Sequence, residues 1–221
     1  MSILAATGLA KEARIARRAG LEPVVGGGDA RLLARRLQEA ANDAVAVVSL
    51  GIAGGLAPLL KTGDVVIATH VVGANEHYTC DAAWLQILRG RLAYSCSAII
   101  AGIDEAASGV GVKKSLFRNT GAHAVDMESH IAARFAKERG LPFVALRVIC
   151  DGAERALPPA ALEPLKPSGK PRLLAVLGSV ARDPEQIPEL LRTGREARKA
   201  LRALLLCCDL LGRGLGCPYL G

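Results

Sequence analysis

Three acids and one arginine have types and spacing that could do chemistry together. Asp126 and Glu128 flank Met127 in "AVDMESH" (residues 124–130), and Arg147 and Asp151 close the run "FVALRVICD" (residues 143–151). Carboxylates are costly to bury unless something pairs with them. Arg147 and Asp151 are four residues apart, and on a regular strand an even spacing sends both side chains to one face. An arginine so placed can position an acid or moderate its charge. One acid could accept hydrogen bonds from substrate hydroxyls while another supplies a proton to a leaving group. Each acid also has an ordinary use. Glu128 at a helix start suits the helix dipole, and Asp151 at a strand end could cap the segment after it. Asp126 could brace Arg147 or cap the helix.

The surrounding pattern says what positions them. "SILAATG" reads as a short buried strand ending at Gly8, followed by the helical "LAKEARIARR". "EPVVGGGD" is a second strand stopped by glycines, with Asp29 as the cap of the helix "ARLLARRLQEAAN". "AVAVVSLGIAGGL" is a continuous apolar strand that breaks into glycines 51, 54 and 55. "TGDVVIATHVV" and "SAIIAGID" repeat the strand theme, and "HAVDMESHIAARFAKERG" runs from strand into a helix closed by Gly140. Two helical runs finish the chain after the Pro-rich stretch 155–171, which is expected to cover something. Alternating apolar strands and helices predict one domain over 1–221, a three-layer α/β/α sandwich with a mixed, mostly parallel central sheet. In such folds ligands sit at the carboxyl ends of strands. Gly8, the "GIAGG" loop, Asp104, the Asp126–Glu128 segment and Asp151 all fall there.

"VVSLGIAGGLAPLLKTGDVVIA", "AVDMES" and "FVALRVICDGA" together resemble the nucleoside phosphorylase/nucleosidase superfamily over roughly residues 1–155. Within it the chain is most similar to hopanoid-associated phosphorylases, through "ATGLAKEARIA", "VDMESHIAARFA" and "ALPPAAL…LLAVLGSVARDP". The resemblance implies cleavage of a purine nucleoside at its N-glycosidic bond, releasing adenine from an adenosyl compound such as adenosylhopane. Phosphorolysis, with inorganic phosphate as co-substrate and no other cofactor, is the form the subfamily implies. Hydrolysis of the methylthioadenosine/S-adenosylhomocysteine type is the alternative.

The resemblance also implies roles. Glu128 holds the ribose hydroxyls and Met127 packs on the sugar. Asp151 meets purine N7, with Arg147 accompanying it. Asp104 reaches the base edge, Gly54 and Gly55 line the sugar and base site, and Gly8 meets phosphate or water. Lys11 and Arg14 are candidates for gathering phosphate, and Glu12 falls near the water-activating glutamate of the hydrolytic branch. Two positions depart from the pattern: Ile52 stands where many relatives carry Ser or Thr, and "GIDEAAS" has no aromatic to stack on the base. These departures motivate a rival reading, a nucleoside-binding protein without turnover. A dinucleotide-dependent oxidoreductase is disfavoured, because no GxGxxG follows the first strand.

Composition narrows the partners. The chain of 221 residues is 51% hydrophobic and carries 28 basic against 21 acidic residues, a net charge of +7. Much of the excess lies in 11–18 and 192–202, where a solvated helix face explains it, and no aromatic–basic interleaving points to nucleic acid. The basic, Leu-rich segment 192–211 suits either core packing or peripheral contact with a membrane, which a lipid-linked substrate would require. Six cysteines without a CxxC pair, and four histidines without HxxxH spacing, predict no metal site. No secretory leader is recognisable, so a cytoplasmic, reduced chain is expected. A homo-oligomer is expected by analogy. Residues selecting the substrate's 5′ group are expected in loops 73–95 and 153–171.

Overall fold

A computed structural model describes residues 1–74 and 76–220. The elements run β1 (Ser2–Thr7), α1 (Ala10–Arg18), β2 (Glu22–Val25), α2 (Ala30–Glu39), β3 (Ala44–Gly55), β4 (Val65–Val72), β5 (His77–Thr79) and α3 (Ala82–Arg91). They continue β6 (Cys96–Gly102), α4 (Val110–Thr120), β7 (Ala124–Asp126), α5 (Ser129–Arg139), β8 (Phe143–Asp151), α6 (Leu173–Arg182) and α7 (Ile187–Leu211). The expected fold class holds: a mixed sheet, parallel in most of its pairings, lies between helices. Helices α1, α3 and α7 cover one face, and α2 and α5 the other.

The sheet also closes on itself. β3 pairs with β8 in parallel, β8 with β4 antiparallel, and β4 with β6 and β6 with β7 in parallel. β7 then returns antiparallel to β3 at Gly54 and Gly55. Long β3 makes this possible, because its first part pairs with β1 and β8 and its glycine end meets β7. A Cβ at Gly54 would stand 3.2 Å from Val125 Cγ1, and one at Gly55 3.3 Å from the Asp151 carbonyl, so small residues let three strands converge.

Local signals explain the helix ends. The Leu32 N–H donates to Asp29 Oδ1 at 2.9 Å, capping α2 as its sequence predicts. Gly140 closes α5 with φ of +64°, a conformation open to glycine at little cost. Helix α7 buries Ala200, Leu204, Cys207, Cys208 and Leu211, one stripe at helical spacing, against β8 and β3. Leu204 and Leu211 are buried there, while Leu206 and Leu210 on the same helix are exposed; among the described residues no helix is long and apolar enough to cross a membrane. The span 73–95 is not a loop: it holds β5 and α3. Buried Trp84 in α3 donates from its indole to the Leu215 carbonyl at 3.0 Å.

Candidate active site

Glu12, Glu128, Asp126 and Arg147 form one buried cluster at the carboxyl ends of β1, β3 and β7. Arg147 stands in β8, all of whose residues are buried, and its own side chain is wholly enclosed. Its Nε lies 3.0 Å from Asp126 Oδ2 and its Nη2 3.4 Å from Glu128 Oε2. Nη2 also donates to Ser49 Oγ on β3, while Ser129 Oγ bridges to Asp126. Asp126 does both jobs open to it. It braces Arg147, and its Oδ1 accepts the N–H groups of Glu128 at 2.8 Å and Ser129 at 2.7 Å, capping α5.

Glu12 enters from α1. It is the third residue of that helix, so its carboxylate can reach back to the helix entry. Oε2 accepts the N–H of Gly8 at 2.9 Å and of Leu9 at 2.8 Å, and Oε1 accepts that of Ile52 at 2.8 Å. The hydroxyl missing at position 52 is thus no loss to Glu12, which uses the backbone there. Two glycines allow these approaches. A Cβ on Gly8 would fall 2.5 Å from Glu128 Oε1, and one on Gly51 would overlap Arg147 Nη1 and fall 2.5 Å from Glu12 Oε1. Burial raises the Glu128 carboxyl to about 8; Arg147 opposes the rise, and the Asp126 and Glu12 charges add to it. Glu12 is raised for the same first reason, burial, against the pull of Arg147 and three N–H donors. Two buried acids beside one arginine therefore hold a proton between them into the neutral range.

Asp151 belongs to a second cluster. Across Gly54 it lies opposite Val125, so the glycine end of β3 separates it from the Asp126–Glu128 segment. Its Oδ2 meets the ammonium of Lys113, a fully buried residue of α4. Lys113 also donates to the carbonyls of Gly152 and Arg155, each at 2.9 Å. The expected company of Arg147 with Asp151 is not observed. The register of β8 against β3 shifts between Ile149 and Asp151, which inserts Cys150 as an extra residue. Such a bulge breaks the two-residue alternation, so Arg147 turns to Asp126 and Glu128 while Asp151 turns to Lys113.

Other expected residues lie apart or at the rim. Asp104 is exposed, and its Oδ1 meets His130 Nε2 at 3.0 Å rather than joining Asp151. Lys11 and Arg14 are exposed and line a surface groove between α1 and α7 with Arg18, Arg198 and Arg202, facing away from the Glu12 carboxylate. The face of α1 that carries them is opposite to the face that buries Glu12, Ala13 and Ala16. Met127 sits by the turn of glycines 26–28, its Cε 3.8 Å from where a Cβ on Gly28 would be. The Pro-rich stretch, expected to cover something, lies over the turn at Gly8 and Leu9. The Ala10 N–H donates to the Gly169 carbonyl at 3.1 Å, and Arg36 holds the Pro167 carbonyl at 2.7 Å.

Lys113, Ser49 and Ser129 do not stand out in the sequence as site residues. Lys113 is one of two adjacent lysines in a helix, a pattern that ordinarily marks a solvated face. The one signal against that reading is a basic residue in the first turn, where the helix dipole disfavours it.

Residues 28–167 match the family model described as the phosphorylase superfamily. No curated protein matches the chain. Among solved structures, it is similar to the 5′-methylthioadenosine/S-adenosylhomocysteine nucleosidase of S. pneumoniae with a transition-state inhibitor, at 17% identity and a TM-score of 0.65, covering 96% of this chain and 100% of that one. The Helicobacter pylori nucleosidase mutant with 5′-methylthioadenosine in its active site aligns at 16% identity and 0.63, covering 94% and 98%. The futalosine hydrolase of Helicobacter pylori strain 26695 aligns at 14% identity and 0.63, covering 94% and 97%. At these identities the likeness is one of fold.

Proposed function

We propose, since the chain belongs to the phosphorylase superfamily, that it cleaves the N-glycosidic bond of a purine nucleoside with water as the nucleophile. One observation carries the choice of water. The N–H groups of Gly8, Leu9 and Ile52, which could cradle an anion, are occupied by the Glu12 carboxylate. Asp126 and Glu128 add further acids around the single Arg147. A phosphate dianion would enter a pocket already rich in carboxylates, and Lys11 and Arg14 face elsewhere. The phosphorolytic expectation is therefore set second. It keeps one supporting observation, the buried Arg147 Nη1 with no acceptor among the described residues.

The chemistry is divided between the two clusters. As the C1′–N9 bond breaks, its electron pair moves onto the purine, and the sugar becomes cation-like. Asp151 delivers a proton to N7, which makes the base a neutral leaving group. Glu12 takes a proton from the water whose oxygen bonds to C1′, and its raised proton affinity makes it a better base. Glu128 accepts the ribose hydroxyls, with Met127 against the sugar. The products are a free sugar and the base. An adenosyl compound is the substrate class the sequence resemblance favours, a lipid-linked one included.

The test is adenine release from adenosine, methylthioadenosine and longer 5′-substituted adenosines, with and without phosphate. Release at an unchanged rate without phosphate, yielding a sugar with a free anomeric hydroxyl, supports hydrolysis. Saturable dependence on phosphate with a sugar 1-phosphate product overturns it, and no release from any compound by folded protein overturns cleavage itself.

A further inference from the structure

Among the described residues Lys113 is the one fully buried lysine, and it stands in the first turn of α4. Burying an ammonium is expensive unless its hydrogen bonds are met, and a helix N-terminus repels it. Here all three ammonium donors are used: on Asp151 Oδ2, the Gly152 carbonyl and the Arg155 carbonyl. The loop they grip is held from its other side as well. Arg155 reaches α7 through Glu189 and Glu196, and the Leu157 N–H donates to the Ser108 carbonyl at 2.8 Å, just before α4. The Asp151 carboxylate is thus clamped by one oxygen. Its Oδ1 accepts no hydrogen bond from any described residue; both carboxylate oxygens stand beside Gly54, where a Cβ would be 3.5 Å from Oδ2 and 3.9 Å from Oδ1.

We propose that Lys113 is a positioning residue for the leaving-group step, clamping Asp151 through Oδ2 so that Oδ1 faces the purine and stabilising the carboxylate left when the proton departs. The inference rests on the cleavage reading above. The proton balance is simple. Asp151 binds substrate in its acid form with the proton on Oδ1. The Oδ1–H bond breaks as N7–H forms and C1′–N9 breaks, and the electron pair left on Asp151 is met by the ammonium, which keeps its own proton.

The experiment measures kcat and KM for wild type, Lys113→Met and Lys113→Arg, with thermal melts to establish folding. Lys113→Met should lower kcat about 100-fold, within the range of a lost acid–base contribution, with KM within a few-fold. Lys113→Arg, which keeps the positive charge, should recover part of kcat. Wild-type kcat in Lys113→Met overturns the proposal. So does a loss carried by KM, or one that Lys113→Arg does not relieve although it melts like wild type, which would mark a merely structural lysine. Wild-type turnover decides the cleavage reading independently of either variant. Should wild type bind adenine without cleaving nucleosides, the same three proteins are compared by adenine affinity. Wild-type affinity in Lys113→Met then overturns the clamp.

Discussion

Glu128 makes the folded protein's stability depend on pH in a direction opposite to that of most carboxylates. Burial lifts its carboxyl from an ordinary 4.5 to about 8. In the unfolded chain the group titrates near its ordinary value, so between the two values the folded state holds a proton that the unfolded state releases. That contribution is complete below about pH 4.5 and is lost as pH climbs through about 8. At roughly 1.4 kcal/mol per pH unit, the climb from pH 6 to pH 8 removes about 2 to 3 kcal/mol. For a chain of this size that corresponds to about 5 to 10 °C in Tm. Glu12 shifts the same way and adds to the slope. Glu128→Gln keeps the shape of the side chain and cannot ionise. Urea melts of both proteins at pH 6, 7 and 8 isolate the effect as the difference between them, with wild type losing ground to the variant as pH rises. A difference that stays constant, or that favours wild type at pH 8, refutes the assignment of the proton to this cluster.

The same geometry sets two further outcomes. Gly51→Ala places a methyl against Arg147 Nη1 and Glu12 Oε1, both enclosed; it should cost about 1 to 3 kcal/mol in a urea melt and reduce adenine release at least about 100-fold. Glu12→Gln keeps one acceptor but turns an amide donor toward backbone N–H groups. Its kcat for adenine release should fall about 100- to 10,000-fold with little change in KM.

How far the site can be read from sequence depends on whether a residue's partners are local. Asp29 and Gly140 act within a turn of their own helix, and both stand where their sequence places them. The strands of the central sheet are legible because burial on both faces leaves continuous apolar runs. Asp126 and Glu128 stand out because acids next to apolar strand ends are uncommon there, whereas Glu12, inside α1, is picked out only by the family resemblance. Strand parity misleads for Arg147 and Asp151 because of a single inserted residue, Cys150, which no residue type announces. Lys113 stays hidden because its partners are 38 to 42 residues away in sequence and reachable only once α4 packs beside the end of β8. Asp104 is drawn in by its place at a strand end, but its carboxylate faces out to His130. Helix α3 escapes for a related reason: Trp84, Leu85 and Leu88 bury one face of a ten-residue helix inside a span full of turn-forming residues.

The stripe on α7 bears on the order in which the protein can be made. β8 and β3 together position Arg147, Glu12's partner Ile52, and Asp151, yet one face of that pair is covered by residues 200–211. A ribosome releases those residues about fifty positions after β8. Until they emerge, the most apolar strands of the nascent chain lie uncovered on one side, where a chaperone or a second nascent chain can bind them. Completion of the Arg147 and Asp151 clusters is therefore coupled to the docking of α7, well after their own strands are made.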